Sequence, residues 1–359
     1  MTRAGGVPAG PKGWRTALES RLQRLWFAPR GGVDALLIAL LWPAHRLVSA
    51  IGAARRRRIA QTRALPRPPH TPRVVVVGNL VVGGTGKTPL VVALADALRS
   101  RGWRCGVIAR GHGGRDAARG VLRVAASDDA TRVGDEPLLL AHRTGGPVAA
   151  GYDRAAALAL LEQAGECDVV LSDDGLQHVP LRRDVELVVF DARGPGNRYC
   201  LPAGPLREPL SGALLVDAVV LNGDEARPPL PHSRTFRFAI EPTAFIALRG
   251  GRRWAPADFV AELGDRPVDA VAGLGEPQRF FDTLVRLGLR VRRHRLPDHA
   301  PIDPAWLARL PSAWIVMTEK DAVRCRGFDD TLLARCVALR IDAVPEPGLI
   351  DWLEDRLRG

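Results

Sequence analysis

The sequence predicts an α/β fold: a P-loop NTPase-like parallel sheet domain, a smaller second α/β domain joined to it by a β-ribbon, and an N-terminal membrane-contacting helix. Two observations carry this prediction. From Val74 onward, continuous apolar runs alternate with helical stretches, as a parallel sheet covered on both faces requires. The run at 74–77 leads directly into the glycine-rich stretch GNLVVGGTGKTP. Strand–helix repetition of this kind is typical of a doubly wound layer.

The composition is that of an ordinary globular chain with an unusual charge. At 359 residues, 46% apolar and 25% charged, the chain is long enough for one large domain or two. The net charge is +12, nearly all of it from arginine, which favours an anionic partner such as a membrane surface. A general replacement of lysine by arginine explains the excess equally well. Aromatic residues are only 5% and form no basic–aromatic stripe, so no nucleic-acid partner is expected.

Cysteine usage indicates a reducing compartment. The five cysteines are odd in number, scattered and without a C-x-x-C pair, so neither a disulfide framework nor a zinc site is expected. The N-terminus also lacks the order of a signal peptide, because the apolar run begins only at Val33 and no A-x-A site follows it.

The apolar segment near the N-terminus is predicted to lie on a membrane rather than to cross it. Its apolar run, residues 33–42, is ten residues long and ends at Pro43, whereas a spanning helix needs ~20 apolar residues. Trp26 and Trp42 stand near the basic cluster 55–58, as in a helix that lies on anionic lipid. An ordinary helical hairpin packed on the protein body is the alternative.

Changes in composition divide the chain into four parts. The segment EARPPLPHS reads as a linker, and TFRFAIEPTAFIALRGGRRW reads as a β-ribbon with a Gly-Gly turn that leads into the second domain. Residues 1–13 are rich in Gly and Pro and are expected to be disordered. We assign residues 1–62 to the tail and interfacial membrane helices, 63–238 to the P-loop domain, 239–340 to the smaller C-terminal domain, and 341–359 to a C-terminal helix.

The stretch GNLVVGGTGKTP predicts a nucleotide-binding loop, although it departs from the pattern G-x-x-x-x-G-K-[ST]. Val81 occupies the place of the first glycine, which is tolerable if the strand exits early and Gly78 takes the turn. The loop can direct backbone N–H groups at phosphate oxygens, and the dipole of the following helix adds to this. Lys87 is expected to reach the β- and γ-phosphates, and Thr88 to ligate Mg²⁺. The predicted nucleotide-binding residues are Gly83, Gly84, Thr85, Gly86, Lys87 and Thr88.

A second acidic site is predicted at the end of a neighbouring strand. CDVVLSDDGLQH contains a buried-type strand that ends in Asp173 and Asp174. Carboxylates at this position can hold Mg²⁺ directly or through water. The D-D-G sequence is also a turn signature, which is the structural alternative.

Several motifs occur in order along the chain: GNLVVGGTGKTP, RVGDEPLLLA, SDDGLQHVPLRRD, FDARGPGN, LPAGPLREP, AGLGEPQRFF, PDH and MTEKDAV. Together they resemble the tetraacyldisaccharide 4'-kinase family, the lipid A kinases of Gram-negative bacteria, over about residues 30–350. The resemblance implies ATP- and Mg²⁺-dependent phosphorylation of the 4'-hydroxyl of tetraacyldisaccharide 1-phosphate. It also implies a peripheral, monotopic protein on an anionic membrane surface, at the cytoplasmic face of the inner membrane. No obligate protein partner is inferred.

The resemblance also implies a set of catalytic residues. Asp135 in RVGDEP is similar to the catalytic aspartate of the family, and His299 in LPDHA to the histidine that partners it. Without the resemblance, Asp135 would read as a helix N-cap and His299 as a surface histidine. Lys87 and Arg207 in PLREP are expected to neutralise charge on the transferred phosphoryl group, with Glu208 as a candidate metal ligand. Arg154 is a further candidate for contact with substrate or phosphate.

The chain departs from the family pattern in three places: His112 stands where Tyr is common, Val179 where His is common, and Glu276 where Asn is frequent. Other classes of P-loop protein stay open. A partitioning ATPase would carry a lysine at the position of Val82, whereas a GTP-dependent metallochaperone would need a guanine-reading motif. TEKDAV at 318–323 is a partial match to that motif.

Overall fold

The computed structural model describes residues 21–29 and 31–359, so the tail predicted over residues 1–13 lies outside the described residues. Residues 21–27 are helical. The first half of the chain alternates strands and helices, as predicted. Its elements are α1 (Val33–Arg63), β1 (Arg73–Gly78), α2 (Lys87–Ser100), β2 (Cys105–Ala109), β3 (Leu122–Val124), α3 (Ala130–Val133), α4 (Asp135–Thr144), β4 (Val148–Ala150), α5 (Arg154–Ala164), β5 (Val169–Asp173), β6 (Val185–Phe190), a 3₁₀ turn (Leu210–Leu214) and β7 (Ala218–Asn222).

The second half begins with the longest described strand and ends with a helix. Its elements are β8 (Thr235–Ala247), β9 (Arg253–Trp254), α6 (Pro256–Leu263), β10 (Val268–Ala272), α7 (Pro277–Arg286), β11 (Val291–Arg295), α8 (Pro304–Ala308), β12 (Ile315–Thr318), α9 (Glu319–Ala322), a 3₁₀ turn (Val323–Cys325), α10 (Asp330–Leu333), β13 (Cys336–Pro345) and α11 (Pro347–Arg358).

All thirteen strands belong to one mostly parallel sheet. Its order is β11-β10-β12-β13-β8-β7-β6-β1-β5-β2-β4-β3, with β9 paired to β8. In the first half, β1 lies between β5 and β6 and is parallel to both. Because Val77 of β1 is opposite Asp173 of β5, the glycine-rich loop that follows β1 begins beside the Asp173–Asp174 turn.

Strand β8 connects the two halves of the sheet. Its first residues pair in parallel with β7, up to Phe238, and the remainder runs antiparallel to β13. Gly250 and Gly251 take left-handed backbone conformations, which confirms the predicted Gly-Gly turn into the short β9. The main ribbon partner is nevertheless β13, which lies about ninety residues further along the chain and carries a register shift after Arg340.

Apolar clusters lie on both faces of each half of the sheet. In the first half, β1, β5 and β6 alternate their buried side chains between two clusters, one under α2 and one under α5. Two further clusters cover the second half. The C-terminal helix α11 returns to the first half, where Leu349 and Leu353 pack in the same cluster as Leu90 and Leu94 of α2. The last helix thus ties the end of the chain to the glycine-rich-loop helix.

The N-terminal helix α1 differs from the sequence-based prediction. The apolar run was expected to end at Pro43, but the helix continues through Pro43 to Arg63, a length of 31 residues. Pro43 removes one backbone donor, and the turns on both sides keep the remaining helical hydrogen bonds. By length and composition α1 is the one described helix that could cross a membrane.

One face of α1 is fixed to the protein body. Gly52 lies so close to Glu208 that a Cβ at this position would be 2.7 Å from the Glu208 Cβ. Arg56 and Ile59, one and two turns further, are buried. Nearer its start, α1 forms a cavity of about 480 Å³ with Tyr199, and His45 Nδ1 accepts a 2.8 Å hydrogen bond from the Cys200 N–H. The body therefore buries residues only in the second half of the helix, whereas its first half is largely exposed.

Candidate active site

The glycine-rich loop has the geometry of a phosphate cradle. Gly83 and Gly86 have φ of +94° and +89°, and Gly86 caps the 14-residue helix α2. Left-handed conformations at these two positions turn the chain without a Cβ penalty and leave the helix N-terminus open to an anion. Gly78 does not take the turn, contrary to the prediction. It ends β1 with no left-handed backbone, and a Cβ there would be 2.4 Å from the Leu176 Cβ.

Two asparagines hold this loop in place. Asn79 Nδ2 donates to the carbonyl oxygen of Gly83 over 3.2 Å, and Asn222 Nδ2 at the end of β7 donates to that of Thr85 over 3.0 Å. Val81, at the position of the missing glycine, is buried and forms a β-bridge with Leu206. Valine at this position therefore anchors the loop to the body, which explains why the departure from the pattern is tolerated.

Thr88 and Asp173 meet at the start of α2. The Thr88 hydroxyl donates a 2.7 Å hydrogen bond to Asp173 Oδ2, whereas Asp173 Oδ1 is buried with no partner among the described residues. Burial raises the pKa of Asp173 to about 6, and repulsion from Glu136 adds to the effect, against the attraction of Lys87. A buried carboxylate with an unsatisfied oxygen is suited to receive a cation.

Asp174 is already paired with the two predicted phosphate-binding cations. Lys87 Nζ lies 3.5 Å from Asp174 Oδ1, and Arg207 Nη1 donates to both carboxylate oxygens at 2.9 Å. Burial would raise the pKa of Asp174, but Lys87 and Arg207 outweigh it and lower the pKa to about 2. Asp174 therefore stays ionised and orients Lys87 and Arg207, so Asp173 is the better metal ligand of the two.

Glu208 does not face the metal-binding position that the sequence suggested. Its carboxylate is buried and accepts hydrogen bonds from Arg56 Nε at 2.8 Å and from Gln177 Nε2 at 2.9 Å. Arg56 also binds Glu186. Glu208 is therefore part of the attachment of α1 to the body, and the interpretation of Glu208 as a metal ligand is wrong for this structure.

Arg154 is buried and binds backbone carbonyl oxygens, so it does not form a surface ion pair. It is 3% exposed and donates hydrogen bonds to the carbonyl oxygens of Gly151 and Asp173 at 3.1 and 3.3 Å. Burial lowers the pKa of Arg154, against the attraction of Asp174 and Asp173. Arg154 thus supports the backbone of the acidic turn from behind.

Asp135 and His299 are brought together from the two halves of the chain. His299 Nδ1 lies 3.1 Å from Asp135 Oδ2, and Arg324 Nε lies 3.4 Å from the same oxygen. Asp135 is the first residue of α4, behind the N-cap Gly134. His299 has φ of +57°, a strained value for a residue with a side chain. The ring of His112 packs edge-on against His299, with the ring centroids 4.9 Å apart.

The TEKDAV segment lies behind this pair. Asp321 is fully buried and accepts hydrogen bonds from the Gly273 N–H and from the Thr318 hydroxyl. It also binds Arg324. Because all of its acceptor capacity is engaged, Asp321 is not available to read guanine, and the metallochaperone interpretation loses its motif.

The sequence did not identify a further contact between the two halves. Arg193 donates from Nη2 to the carbonyl oxygen of Gly84 at 2.8 Å and forms an ion pair with Glu276 at the N-cap of α7. Asp191 binds Arg193 and, at 2.9 Å, Arg279 of α7. The second half of the chain is thereby connected directly to the phosphate loop.

The residues present fit Mg²⁺ and a nucleoside triphosphate. Mg²⁺ requires few protein ligands when phosphate oxygens and water complete its octahedron. Thr88 and Asp173 would supply the protein oxygens, and the described residues contain no cluster of three or more metal-ligating side chains. The phosphates would lie on the N–H groups of the loop, close to Lys87.

Comparisons with known proteins show the family of the chain. A family profile described as "Tetraacyldisaccharide-1-P 4'-kinase" matches residues 37–358. The chain belongs to the tetraacyldisaccharide 4'-kinase family. The family member of Stutzerimonas stutzeri is 43% identical over 95% of this chain and 97% of its own length. That of Alkalilimnicola ehrlichii is 48% identical over 88% of this chain and 93% of its own length.

A solved structure supports the same assignment. The fold is similar to that of LpxK from Aquifex aeolicus, crystallised in complex with ATP, with a TM-score of 0.74 and 28% sequence identity. The match covers 89% of this chain and 99% of the other. The predictions of family, kinase activity and P-loop fold are thus confirmed, and the partitioning-ATPase alternative is set aside. The relatives are bacterial, and the exposed apolar part of α1 indicates membrane association.

Proposed function

We propose that this chain transfers the γ-phosphoryl group of ATP to the 4'-hydroxyl of a tetraacyldisaccharide 1-phosphate, with Asp135 as the general base. The observation that carries this proposal is the Asp135–His299 contact at 3.1 Å, which needs both halves of the chain. Glu136, next to Asp135, acts on the pKa of Asp173. The first turn of α4 therefore lies near enough to Asp173 for its charge to act on that carboxylate.

The sugar hydroxyl needs a base because it is a poor nucleophile. Asp135 Oδ2 is engaged by His299 and Arg324, and Oδ1 accepts no hydrogen bond from the described residues. Oδ1 would accept the hydroxyl proton as the oxygen attacks phosphorus. His299 would orient the carboxylate, and together they would supply a factor of ~10²–10⁴ in rate.

The negative charge of the transferred group would be balanced by residues already gathered around the loop. Lys87 and Arg207 both contact Asp174, which presents them on the side of the glycine-rich loop. Positioning and electrostatic stabilisation account for most catalysis of phosphoryl transfer. When bound, Mg²⁺ would supply positive charge that offsets the negative charge of the phosphates. Thr88 and Asp173 are the residues we propose for holding it.

The protein is proposed to be peripheral and monotopic, on the cytoplasmic face of the inner membrane. The exposed side of α1 is apolar, with Leu36 at 70% and Leu40 at 75% exposure. Its other side follows the body from the cavity at Tyr199 to the buried Arg56. The first half of α1 is long and apolar enough to cross a bilayer, and the attachment of its second half through Gly52, Arg56 and Ile59 supports the interfacial position instead. It can instead lie in the headgroup layer beside its acylated substrate.

The direct test is transfer of label to lipid. The purified full-length protein is incubated with γ-labelled ATP, Mg²⁺ and a disaccharide 1-phosphate lipid in detergent. We expect label in a bisphosphorylated lipid, and its position on the non-reducing sugar identifies the 4'-hydroxyl as acceptor. An intact, ATP-binding protein that leaves the lipid unlabelled would remove this proposal. A second reaction with the 4'-deoxy lipid controls for transfer to other hydroxyls.

A further inference from the structure

Lysine is rare in this chain, and its few positions are informative. Of 51 basic side chains, only Lys12, Lys87 and Lys320 are lysines. Arginine therefore serves wherever a positive charge alone is enough. Lys87 belongs to the phosphate loop. Lys320, on the short helix α9 in TEKDAV, has no role in the proposed transfer described so far.

Lys320 contacts the imidazole of His299 directly. Its Nζ lies 3.2 Å from His299 Nε2, 3.3 Å from Glu136 Oε1 and 3.6 Å from Asp298 Oδ1. The side chain is 16% exposed, and the two carboxylates balance its charge. An ammonium group is compact and has three donors, which suits these three acceptors, whereas a planar guanidinium does not.

The direction of this contact fixes the proton on the imidazole. An ammonium group can only donate, so His299 Nε2 has to present its lone pair to Lys320. In a neutral imidazole the proton then resides on Nδ1, from which it is donated to Asp135 Oδ2 at 3.1 Å. The opposite tautomer would place a proton against Nζ and two acceptors against each other at Asp135.

The segment that carries Lys320 is held rigidly. The Thr318 hydroxyl accepts from the Asp321 N–H at 3.1 Å and caps α9, while the buried Asp321 carboxylate holds Arg324 and the Gly273 N–H. Arg324 reaches Asp135 in turn. The turn formed by TEKDAV and the following Arg324 thus contacts both members of the Asp135–His299 pair.

We propose that Lys320 is a positioning residue that holds His299 in the Nδ1–H tautomer and thereby aligns Asp135 for the 4'-hydroxyl. This inference rests on the proposed function. It assigns a role to a segment that the sequence offered as a family motif and as a partial match to a guanine-reading motif. The groups in contact with His299 are Asp135, Asp298, Lys320 and His112. Glu136 contacts Lys320, and Arg324 contacts Asp135.

The tautomer can be measured without any turnover. The full-length protein is labelled with ¹⁵N-histidine, and long-range ¹H–¹⁵N spectra are recorded at pH 8 in detergent. The His299 signals are assigned by their loss in His299→Gln. We expect the Nδ1–H pattern in the wild-type protein and a mixture of tautomers in Lys320→Met. An Nε2–H pattern in the wild-type protein would overturn the inference, whatever the kinase assay shows.

Kinetics supply the second measurement. Lys320→Met and Lys320→Arg are each expected to lower kcat by at least ~10-fold, with the KM for ATP changed by less than about twofold. Arg309→Met removes an exposed charge from the same half of the chain and is expected to retain the wild-type kcat. Retention of the wild-type kcat by Lys320→Arg would show that charge alone is sufficient and would refute the positioning role. A wild-type protein without kinase activity would refute the proposed function instead, and the tautomer would still decide this inference.

Discussion

The hydroxyl of Thr88 donates a 2.7 Å hydrogen bond to Asp173 Oδ2, while Asp173 Oδ1 remains buried without a partner among the described residues. One carboxylate therefore joins the phosphate loop to the neighbouring strand and keeps an oxygen for a cation. An ionised, buried carboxylate such as Asp173 lowers the free energy of unfolding when no cation is bound to it.

This cost makes the stability of the metal-free protein depend on pH. The pKa of Asp173 is about 6 in the folded protein, above its ordinary value, so the folded state retains a proton that the unfolded state releases between pH ~4 and ~6. Stability attributable to this group is full below pH ~4 and is lost as the pH rises through 6. Asp173→Asn should therefore raise the free energy of unfolding at pH 8 by on the order of 2 kcal/mol and change it little at pH 4.

Urea denaturation in EDTA at both pH values measures this effect. Asp168→Asn is the matched control, because Arg104 contacts lower the pKa of Asp168. That variant should be neutral or slightly less stable at pH 8. Equal stabilisation by Asp173→Asn at pH 4 and pH 8 would contradict the buried-charge explanation.

The role of Asp135 is tested by Asp135→Asn, which preserves the shape of the side chain and removes its basicity. We expect kcat to fall by ~10²–10⁴ while the Kd for ATP stays within about twofold, because the base acts on the acceptor and not on the nucleotide. Steady-state transfer assays and calorimetric ATP titration check both parts. Asp116→Asn, at a surface ion pair, is the control. A large loss of ATP affinity would instead make Asp135 a nucleotide ligand.

Arg56 is predicted to be essential for the attachment of α1. Its guanidinium lies between the buried carboxylates of Glu186 and Glu208. Arg56→Met leaves Glu208 without its ion-pair partner, whereas Glu186 retains Arg183, and we expect a loss of ~3–5 kcal/mol in the free energy of unfolding or detachment of the helix. Arg57→Met removes the adjacent, exposed arginine and should change stability by less than ~0.5 kcal/mol. Denaturation curves and limited proteolysis within α1 distinguish the two variants, and similar curves for both would argue against the buried triad.

Membrane binding is predicted to depend on the exposed apolar side of α1. Leu36→Glu and Leu40→Glu should each lower binding to anionic phospholipid vesicles by about tenfold or more, since burial of one leucine contributes ~1.5–3 kcal/mol. Vesicle cosedimentation at fixed ionic strength measures this. Val285→Glu places the same charge on an exposed apolar position of α7 and should bind like the wild-type protein. Unchanged binding of both leucine variants would move the membrane contact elsewhere.

The Arg193–Glu276 ion pair, which joins the second half of the chain to the phosphate loop, is predicted to affect the KM for ATP. Both side chains are partly exposed, so the pair should contribute no more than ~1 kcal/mol. Glu276→Gln should raise the KM for ATP by about two- to fivefold, and a double-mutant cycle with Arg193→Met should show that the effects are not additive. Glu262→Gln, in the exposed pair with Arg252, is the control. Fully additive effects would mean that the two residues do not act together.

The local parts of the site were predictable because neighbouring residues encode them. The cradle from Gly83 to Thr88 and the turn at Asp173 depend on a strand end, a glycine-rich loop and a helix start, which the sequence places in order. Facing direction was not predictable: Arg207 and Glu208 are adjacent, yet Arg207 pairs with Asp174 and Glu208 with Arg56. The directions of these two side chains depend on the packing of α1, because α1 supplies the partner of Glu208.

The long-range contacts could not be predicted from the sequence, for a different reason. Asp135 and His299 are 164 residues apart, and only the resemblance to a family suggested that they meet. The β8–β13 pairing and the Arg193–Glu276 contact also join residues that lie far apart in the sequence. Pro43 was expected to end the apolar run, but a proline removes only one backbone donor, and the helix continues through it.

The opposite orientations of Arg207 and Glu208 have a practical consequence. Because Arg207 and Glu208 are adjacent, detachment of α1 from Glu208 is expected to displace Arg207 as well, the residue that we propose to neutralise charge on the triphosphate. A compound that separates α1 from Glu208 at Gly52 would thus be expected to lower kinase activity without competing with ATP.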